Sequence, residues 1–211
     1  MLHTNPYGTT ARVTLGENVK VGEGVTLGEH VIIGNNARIG NGVSIRGAAI
    51  IGNNVVIRSN ASIGYFCTLG NDVFLGKHST IGNSVVIGND TQLGRHVEVC
   101  DGVTLGNCVT LGDYCRVGRQ VRLGDRVTFC DAVNLEVGTV IDAGRDQRGY
   151  EVLGFLHNGR LMVTAGCRMF SLAQARAHWD CENGYPDPGR ACTFQRKLDY
   201  IALEASSRRW L

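Results

Sequence analysis

The stretch VIIGNN-ARIGNG-VSIRGA-AIIGNN-VVIRSN-ASIG, residues 31–64, decides the fold of this chain. It carries an isoleucine at every sixth position, and a glycine or an arginine follows each of them. The same series extends outward from Leu15 to Ile141 as 22 positions without a slip, all aliphatic except Phe129. Glycine follows 16 of the 22. A short, unbroken internal period of this kind is typical of a solenoid.

The spacing within each hexad predicts a short strand followed by a turn. A smaller residue, usually Val or Ala, lies two positions before each aliphatic residue, so both side chains point to the same side of a strand. Three hexads, each a strand and a turn, make one triangular coil, and 22 hexads give seven such coils. At about 4.8 Å per coil, the stack forms a prism about 34 Å tall with an aliphatic interior.

The repeat resembles the hexapeptide-repeat superfamily over residues 13–142. This resemblance implies a left-handed parallel β-helix, a handedness opposite to the general rule for parallel crossovers. It also implies that the chain assembles as a homotrimer, as most members do. Many members are acyltransferases that use coenzyme A or acyl carrier protein, and others are zinc carbonic anhydrases. A shared fold does not by itself assign one of these activities.

Composition sets weaker limits. The net charge of +2 gives no reason to expect a nucleic acid or a membrane as partner. No run of about 18 apolar residues predicts a transmembrane helix, and the start MLHTNP lacks the regions of a signal peptide. The eight cysteines have no CxxC pair and no zinc-type spacing. We therefore expect a cytoplasmic protein with free thiols and no metal site.

The period of three hexads sorts the turns onto three edges of the prism. The Asn edge stacks pairs such as Asn35-Asn36 and Asn53-Asn54, which tight turns explain without a ligand. The His edge places His78 and His96 one above the other. It is the candidate functional site, either as a binding site for an anion or as the source of a general base. Charged turn residues are also common without any ligand. The candidate ligand-binding residues on this edge are Arg58, Lys77, His78, Arg95, His96 and Tyr114.

The third edge, called here the Tyr-Phe edge, carries His30 and the aromatic pair Tyr65-Phe66. Adjacent exposed aromatic residues often mark a contact, so Tyr65 and Phe66 are added to the candidate ligand-binding residues. The strand face between the Tyr-Phe edge and the Asn edge is called the apolar face. Its outward residues predict a subunit interface that is formed by Ile32, Ile50, Thr68 and Val86.

Residues 1–12 are expected to form an N-terminal cap, residues 13–142 the β-helix, and residues 143–211 a small α/β tail. The tail pattern predicts two strands, 150–156 and 160–165, joined at Asn158-Gly159, then a helix capped by Ser171 and a second helix after a proline-containing loop. Its motifs Ala165-Gly166-Cys167-Arg168 and Ala177-His178-Trp179 resemble the tails of uncharacterised phage and prophage hexapeptide-repeat proteins. Cys167 and His178 suggest a Cys–His nucleophile pair, but both residue types serve more often in packing.

Two functions from different classes follow. The first is a non-catalytic phage or prophage accessory protein, which binds a small anionic ligand or a host protein and needs no cofactor. The alternative is an acyltransferase that uses acyl-coenzyme A or acyl carrier protein, with His30, His78 or His96 as general base. The sequence leaves open whether the protein is an enzyme. A zinc hydratase is disfavoured, because the histidine spacing does not match and position 114 is a tyrosine.

Overall fold

Three parallel sheets form the body of the protein. The structure is a computed structural model that describes residues 1–166, 168–180 and 186–211, and each of the three sheets has seven two-residue strands. Each strand pairs in parallel with the equivalent strand one coil away, as Thr68 does with Ile50 and with Val86. The predicted parallel β-helix of seven coils is therefore confirmed.

Every third strand along the chain belongs to the same sheet. The first sheet contains Thr14–Leu15, Ile32–Ile33, Ile50–Ile51, Thr68–Leu69, Val86–Ile87, Thr104–Leu105 and Arg122–Leu123. The second contains Lys20–Val21, Arg38–Ile39, Val56–Ile57, Phe74–Leu75, Gln92–Leu93, Thr110–Leu111 and Thr128–Phe129. The third contains Thr26–Leu27, Ser44–Ile45, Ser62–Ile63, Thr80–Ile81, Glu98–Val99, Arg116–Val117 and Asn134–Leu135.

The core is a column of the inward-facing aliphatic residues, and almost all of them are fully buried. Cys67 and Cys115 occupy the small inward position and are buried, as predicted. Ser79 and Thr91 occupy the same position, and their buried hydroxyls form hydrogen bonds to the backbone. The Ser79 hydroxyl donates to the Gly94 carbonyl at 2.9 Å and accepts the Val97 N–H at 3.0 Å. The prism therefore tolerates a hydroxyl wherever the next coil supplies a hydrogen-bonding partner.

The turns repeat one backbone geometry from coil to coil. Their second residue has a left-handed φ, for example 59° at Asn36 and 57° at Asn54. On the Asn edge, the amide oxygen of the first asparagine in a pair accepts a backbone N–H of the coil before it, as Asn53 Oδ1 does from Asn35 at 2.8 Å. The oxygen of the second asparagine accepts a side-chain N–H, as Asn54 Oδ1 does from Asn36 at 3.3 Å. The glycine just before each two-residue turn lies against the next coil, and a Cβ on Gly76 would be 2.2 Å from the Gly94 carbonyl oxygen. Close stacking therefore favours glycine at this position, although Arg46 and Arg58 occupy it in two of the hexads.

A hairpin of Leu2–Thr4 and Thr10–Arg12 precedes the first coil. Asn5 is buried and joins this hairpin to the prism, because its side chain donates to the Leu27 carbonyl and accepts the Leu27 N–H. The hairpin is thus attached to the prism by a pair of hydrogen bonds like those between strands.

The tail begins with a four-stranded antiparallel sheet of Val140–Arg145, Glu151–His157, Arg160–Ala165 and Arg168–Ser171. The two predicted strands are its centre, and the prediction missed the two outer ones. This sheet lies over the last coil, where Phe155 packs edge-on against Phe129 with ring centroids 5.0 Å apart. Thr164 also donates its hydroxyl to the Thr128 carbonyl at 2.8 Å. The tail therefore closes the C-terminal end of the aliphatic column.

Two helices complete the tail: α1 (Leu172–His178) and α2 (Pro188–Ser207). Ser171 caps α1 as predicted, in a capping box with Gln174. The second helix begins earlier than predicted, since Asp187 is its N-cap and Pro188 stands in its first turn, where proline is well tolerated. Among the described residues, no helix is both long and apolar enough to cross a bilayer.

Candidate functional site

The His edge carries a stack of three rings. The His78 and His96 rings lie 5.0 Å apart at an interplanar angle of 9°, so their predicted stacking is confirmed. Tyr114 extends the stack, with its ring 5.0 Å from His96 at 2°. All three residues occupy the left-handed turn position and are exposed. Because they occupy the same turn position in three successive coils, the coil geometry alone brings their rings into register.

A basic groove runs along the second sheet beside the His edge. It consists of two adjoining hollows of about 620 and 410 Å³, which share Arg58, Phe74 and Lys77. The groove holds one cation from each of five successive coils, called here the cation row: Lys20, Arg38, Arg58, Lys77 and Arg95. Within the described part of the chain, none of these five side chains forms an ion pair or a hydrogen bond.

The structure divides the predicted ligand-binding residues among three places. Arg58, Lys77 and Arg95 line the groove, whereas His78, His96 and Tyr114 form the ring stack at its border. Tyr65 and Phe66 lie on a different edge, with ring centroids 6.3 Å apart and the Arg46 guanidinium 5.4 Å from the Tyr65 ring.

Sequence reasoning missed three lining residues of the groove, namely Lys20, Arg38 and Phe74. They share the outward strand position of the second sheet and are separated from one another by whole coils. That spacing was the available signal, but it gave no indication that the face is hollow. The Arg58 guanidinium lies 5.5 Å from the centre of the Phe74 ring, which is half-buried.

His30 lies in a smaller hollow of about 390 Å³, together with Arg12, Ile32 and the first two residues of the chain. Its backbone has φ of 61°, and its N–H donates to the Arg12 carbonyl at 2.8 Å. The imidazole is exposed and forms no hydrogen bond to any residue that the structure describes. The base candidate nearest to the apolar face therefore has both ring nitrogens available.

The apolar face is exposed in the single chain. Ile32, Ile50 and Val86 are 42%, 46% and 44% exposed, and Thr68 between them is exposed as well. Exposed aliphatic side chains favour burial, so this face remains the predicted subunit interface.

The tail histidine is surrounded by aromatic rings. His178 stacks on Phe170 at 5.0 Å and packs against Trp179. Burial lowers its pKa, and the nearby Arg168 charge lowers it further. Its supposed partner Cys167 lies outside the described residues. Over the part of the chain that the structure describes, no group of three or more His, Cys, Asp or Glu side chains could hold a metal ion.

One family model agrees with the repeat architecture. The family model of the bacterial transferase hexapeptide (six repeats) matches residues 12–47, 48–83 and 78–113. A comparison with curated proteins gives no match.

Several solved structures are similar to this chain. One is the acetyltransferase domain of PglB from Neisseria gonorrhoeae, with 17% identity, coverage of 47% of this chain and 48% of that one, and a TM-score of 0.46. A putative acetyltransferase from Bacillus cereus has 15% identity over 92% and 98%, with a TM-score of 0.41. PerB from Caulobacter crescentus, in complex with CoA and GDP-perosamine, has 25% identity over 59% and 56%, with a TM-score of 0.36. The chain thus spans about half the length of the PglB domain.

Proposed function

We propose that the repeat region of this chain belongs to the hexapeptide-repeat superfamily and that the protein is an acyltransferase. The observation that carries this proposal is the match of residues 12–113 to a family of bacterial transferases. It favours acyl transfer over a non-catalytic accessory role. The donor would be a thioester of coenzyme A or of acyl carrier protein, and the acceptor an amine or a hydroxyl.

The position of His30 supports it as the general base. A base needs a neutral imidazole with a free nitrogen within reach of the acceptor proton, and the exposed His30 ring meets the second requirement. Superfamily members commonly form trimers. If the apolar face is buried in such a trimer, the hollow beside Ile32 lies at a subunit boundary, whereas the His edge faces solvent. We therefore rank His30 ahead of His78 and His96.

The reaction would proceed in two proton-coupled steps. His30 takes the proton from the acceptor, whose nitrogen or oxygen forms a bond to the thioester carbonyl carbon. The carbon–sulfur bond then breaks, and the sulfur leaves as a thiol with the proton held by the imidazolium. Arg12 lines the same hollow and supplies a positive charge for an anionic part of the donor.

The test is thioester consumption with acetyl-coenzyme A and with an acetylated acyl carrier protein, each offered with a panel of amino sugars and sugar alcohols. Product masses should be recorded, because exposed cysteines would interfere with thiol reagents. We expect His30→Ala to lower kcat/KM by about 100-fold or more, the usual contribution of a positioned general base.

Two control variants make the test specific. His157→Ala removes a histidine of the tail, and His78→Ala/His96→Ala removes the ring stack; both should stay within twofold of the wild type. Loss of turnover in the double variant alone would move the base to the His edge. No turnover with either donor would refute the proposal.

A further inference from the structure

Three segments of the tail meet around one hollow of about 330 Å³, called here the tail pocket. Arg148 and Tyr150 come from the turn after the first strand of the tail sheet, Arg168 from the start of its last strand, and His178 from the end of α1. Trp179 lines the pocket as well. The two sequence motifs of the tail therefore meet at one place, and the proposed acyl transfer does not use it.

The tail pocket has an excess of positive charge. Arg168 donates from Nη1 to Nε2 of His178 at 3.1 Å, and within the described residues no carboxylate pairs with Arg168. The Arg148 guanidinium lies 3.1 Å from the Asp146 carboxylate, but the Arg190 guanidinium lies 3.5 Å from the same carboxylate. Three guanidinium groups therefore share one carboxylate, and two positive charges stay uncompensated.

Arg190 shows that this carboxylate has no capacity to spare. Asp146 accepts hydrogen bonds from the backbone N–H groups of Arg148 and Tyr150 and from the Arg148 side chain. The Nε and Nη2 atoms of Arg190 are buried and form no hydrogen bond to any residue that the structure describes. Burying a charged group without hydrogen-bond partners is costly, and further negative charge nearby would reduce that cost.

An aromatic ring forms one wall of the tail pocket. The Arg148 guanidinium lies 4.9 Å from the centre of the Tyr150 ring, and a Cβ on Gly166 would be 3.3 Å from that ring. Gly166, at φ of 63°, therefore lets the ring pack close to the backbone. The volume is roughly ten times the share of one water molecule in the liquid, which is about 30 Å³. The pocket can therefore hold an organic group as well as a small anion.

We propose that the tail pocket binds a phosphate monoester, with its oxygens on Arg148 and Arg168 and its organic group against Tyr150. Guanidinium groups present paired N–H donors that match phosphate oxygens. A phosphate monoester carries a charge of about −1.5 to −2 at neutral pH, which offsets the two uncompensated charges better than a single carboxylate does. The assignment holds whether or not the protein transfers acyl groups, because the pocket consists of tail residues alone.

Calorimetric titration of the full chain with phenyl phosphate, inorganic phosphate, succinate and acetate tests the assignment. We expect phenyl phosphate to bind most tightly, and succinate and acetate to bind at least tenfold more weakly than it does. Arg168→Gln removes a guanidinium without breaking a described ion pair, and it should weaken phenyl phosphate binding at least tenfold. Arg160→Gln changes the net charge equally at an exposed position of the same sheet and should stay within twofold of the wild type.

The imidazole signals of His178 in nuclear magnetic resonance spectra show where the anion binds. Burial and the Arg168 charge hold the pKa of His178 below its ordinary value. A bound dianion beside Arg168 would offset that charge, so saturation with phenyl phosphate should raise the pKa of His178. The variant His178→Gln assigns the signals. The titrations of His78 and His96, which border the cation row, should be unchanged.

The outcomes that contradict the proposal are distinct. Absence of phenyl phosphate binding to the wild type would overturn it, as would binding that survives Arg168→Gln. Succinate binding as tight as that of phenyl phosphate would overturn the assignment to a phosphate, and inorganic phosphate binding as tight would overturn the assignment to a monoester. Altered titration of His78 and His96 in place of His178 would locate the anion in the cation row instead.

Discussion

At the scale of the residue, the second turn position sets the character of each edge. Its left-handed φ suits asparagine, whose short polar side chain tolerates this geometry, and it disfavours bulky side chains. Yet His78, His96 and Tyr114 occupy it on one edge, and His30 and Phe66 on another, with φ between 53° and 61°. Since an asparagine would fit with less strain, the bulkier residues at these five positions indicate a role in binding or assembly.

Phe66 gives the clearest test of this strain. Its side chain is 67% exposed, so replacement forfeits little burial. We expect Phe66→Asn to raise the free energy of unfolding by about 1 kcal/mol at a fixed protein concentration, by relieving the left-handed strain. Asn54→Phe on the Asn edge is the matched reverse change and should lower it. Urea denaturation measures both, and a less stable Phe66→Asn would contradict the argument.

The inward cysteines give a second prediction for single residues. Burial raises the pKa of the Cys67 thiol and raises that of Cys115 to about 11, and the reactive thiolate is therefore scarce at both. Iodoacetamide at pH 8 should alkylate the exposed Cys108 and Cys192 in the native protein and spare Cys67 and Cys115 until the chain is unfolded. Peptide mass spectrometry reads out each site, and rapid native labelling of Cys67 would argue against an inward side chain.

At the scale of the element, close stacking of the coils depends on the glycine that precedes most of the turns. A Cβ at Gly76 would meet backbone atoms of the next coil, whereas one at Gly189, in the first turn of α2, would meet just the Asp187 carboxylate, at 3.6 Å, among the residues that the structure describes. We expect Gly76→Ala to destabilise the fold by about 1–3 kcal/mol, as overpacking does, and Gly189→Ala to be neutral or slightly stabilising. The midpoints of thermal unfolding compare the two variants. Equal midpoints would show that neighbouring coils can move apart to accept a Cβ at little cost in stability.

In the tail, the turn between Val140–Arg145 and Glu151–His157 is stabilised by the carboxylate of Asp146. Asp146 is nearly buried, which works to raise its pKa, but hydrogen bonds from the Tyr150 and Arg148 backbone and from the Arg148 side chain outweigh burial and lower it. A depressed pKa contributes stability that is present above the ordinary Asp value of about 3.9 and is lost as the pH falls through the folded-state pKa.

Replacing this carboxylate should reveal that pH dependence. Asp146→Asn keeps the shape but loses the charge, and we expect it to destabilise the protein by about 1–3 kcal/mol at pH 7. The gap to the wild type should begin to narrow as the pH falls below about 4, where the carboxylate of the unfolded chain is protonated, and it should close only below the lower pKa of the folded state. Asp187→Asn, which keeps a good helix cap on α2, is the control. A gap that is constant from pH 7 to pH 3 would rule out the charge as the cause.

At the scale of the whole molecule, the open question is how the prism assembles. The apolar face carries three aliphatic side chains that are more than two-fifths exposed, and burial of the exposed part would contribute about 0.7–1.3 kcal/mol for each before the entropy cost of association. We expect light scattering to give a trimer and Ile50→Asp to weaken it. Gln92→Asp, at an exposed outward position of the second sheet, should leave it intact. A monomeric wild type would remove the basis for placing His30 at a subunit boundary.

The sequence determined the prism in detail. Contacts between neighbouring coils join positions that are three hexads apart, so a period read from the chain gives strands, register, inward residues such as Cys67, and the His78–His96 stack directly. The tail was only half predictable. Arg168–Ser171 has no periodic signal, and Val140–Arg145 begins in the last hexad of the series, at Ile141, but joins the tail sheet because Glu151–His157 pairs with it.

The tertiary structure alone decided where surface chemistry is concentrated. Lys20, Arg38, Arg58, Lys77 and Arg95 come from a mixture of strand and turn positions, so no single column of the period contains them. Their convergence depends on how far each side chain extends beyond the backbone and on the concave shape of the face between them. A period specifies which backbones are neighbours, whereas a groove is made by side chains reaching across from different positions, and that is a property of the packed molecule.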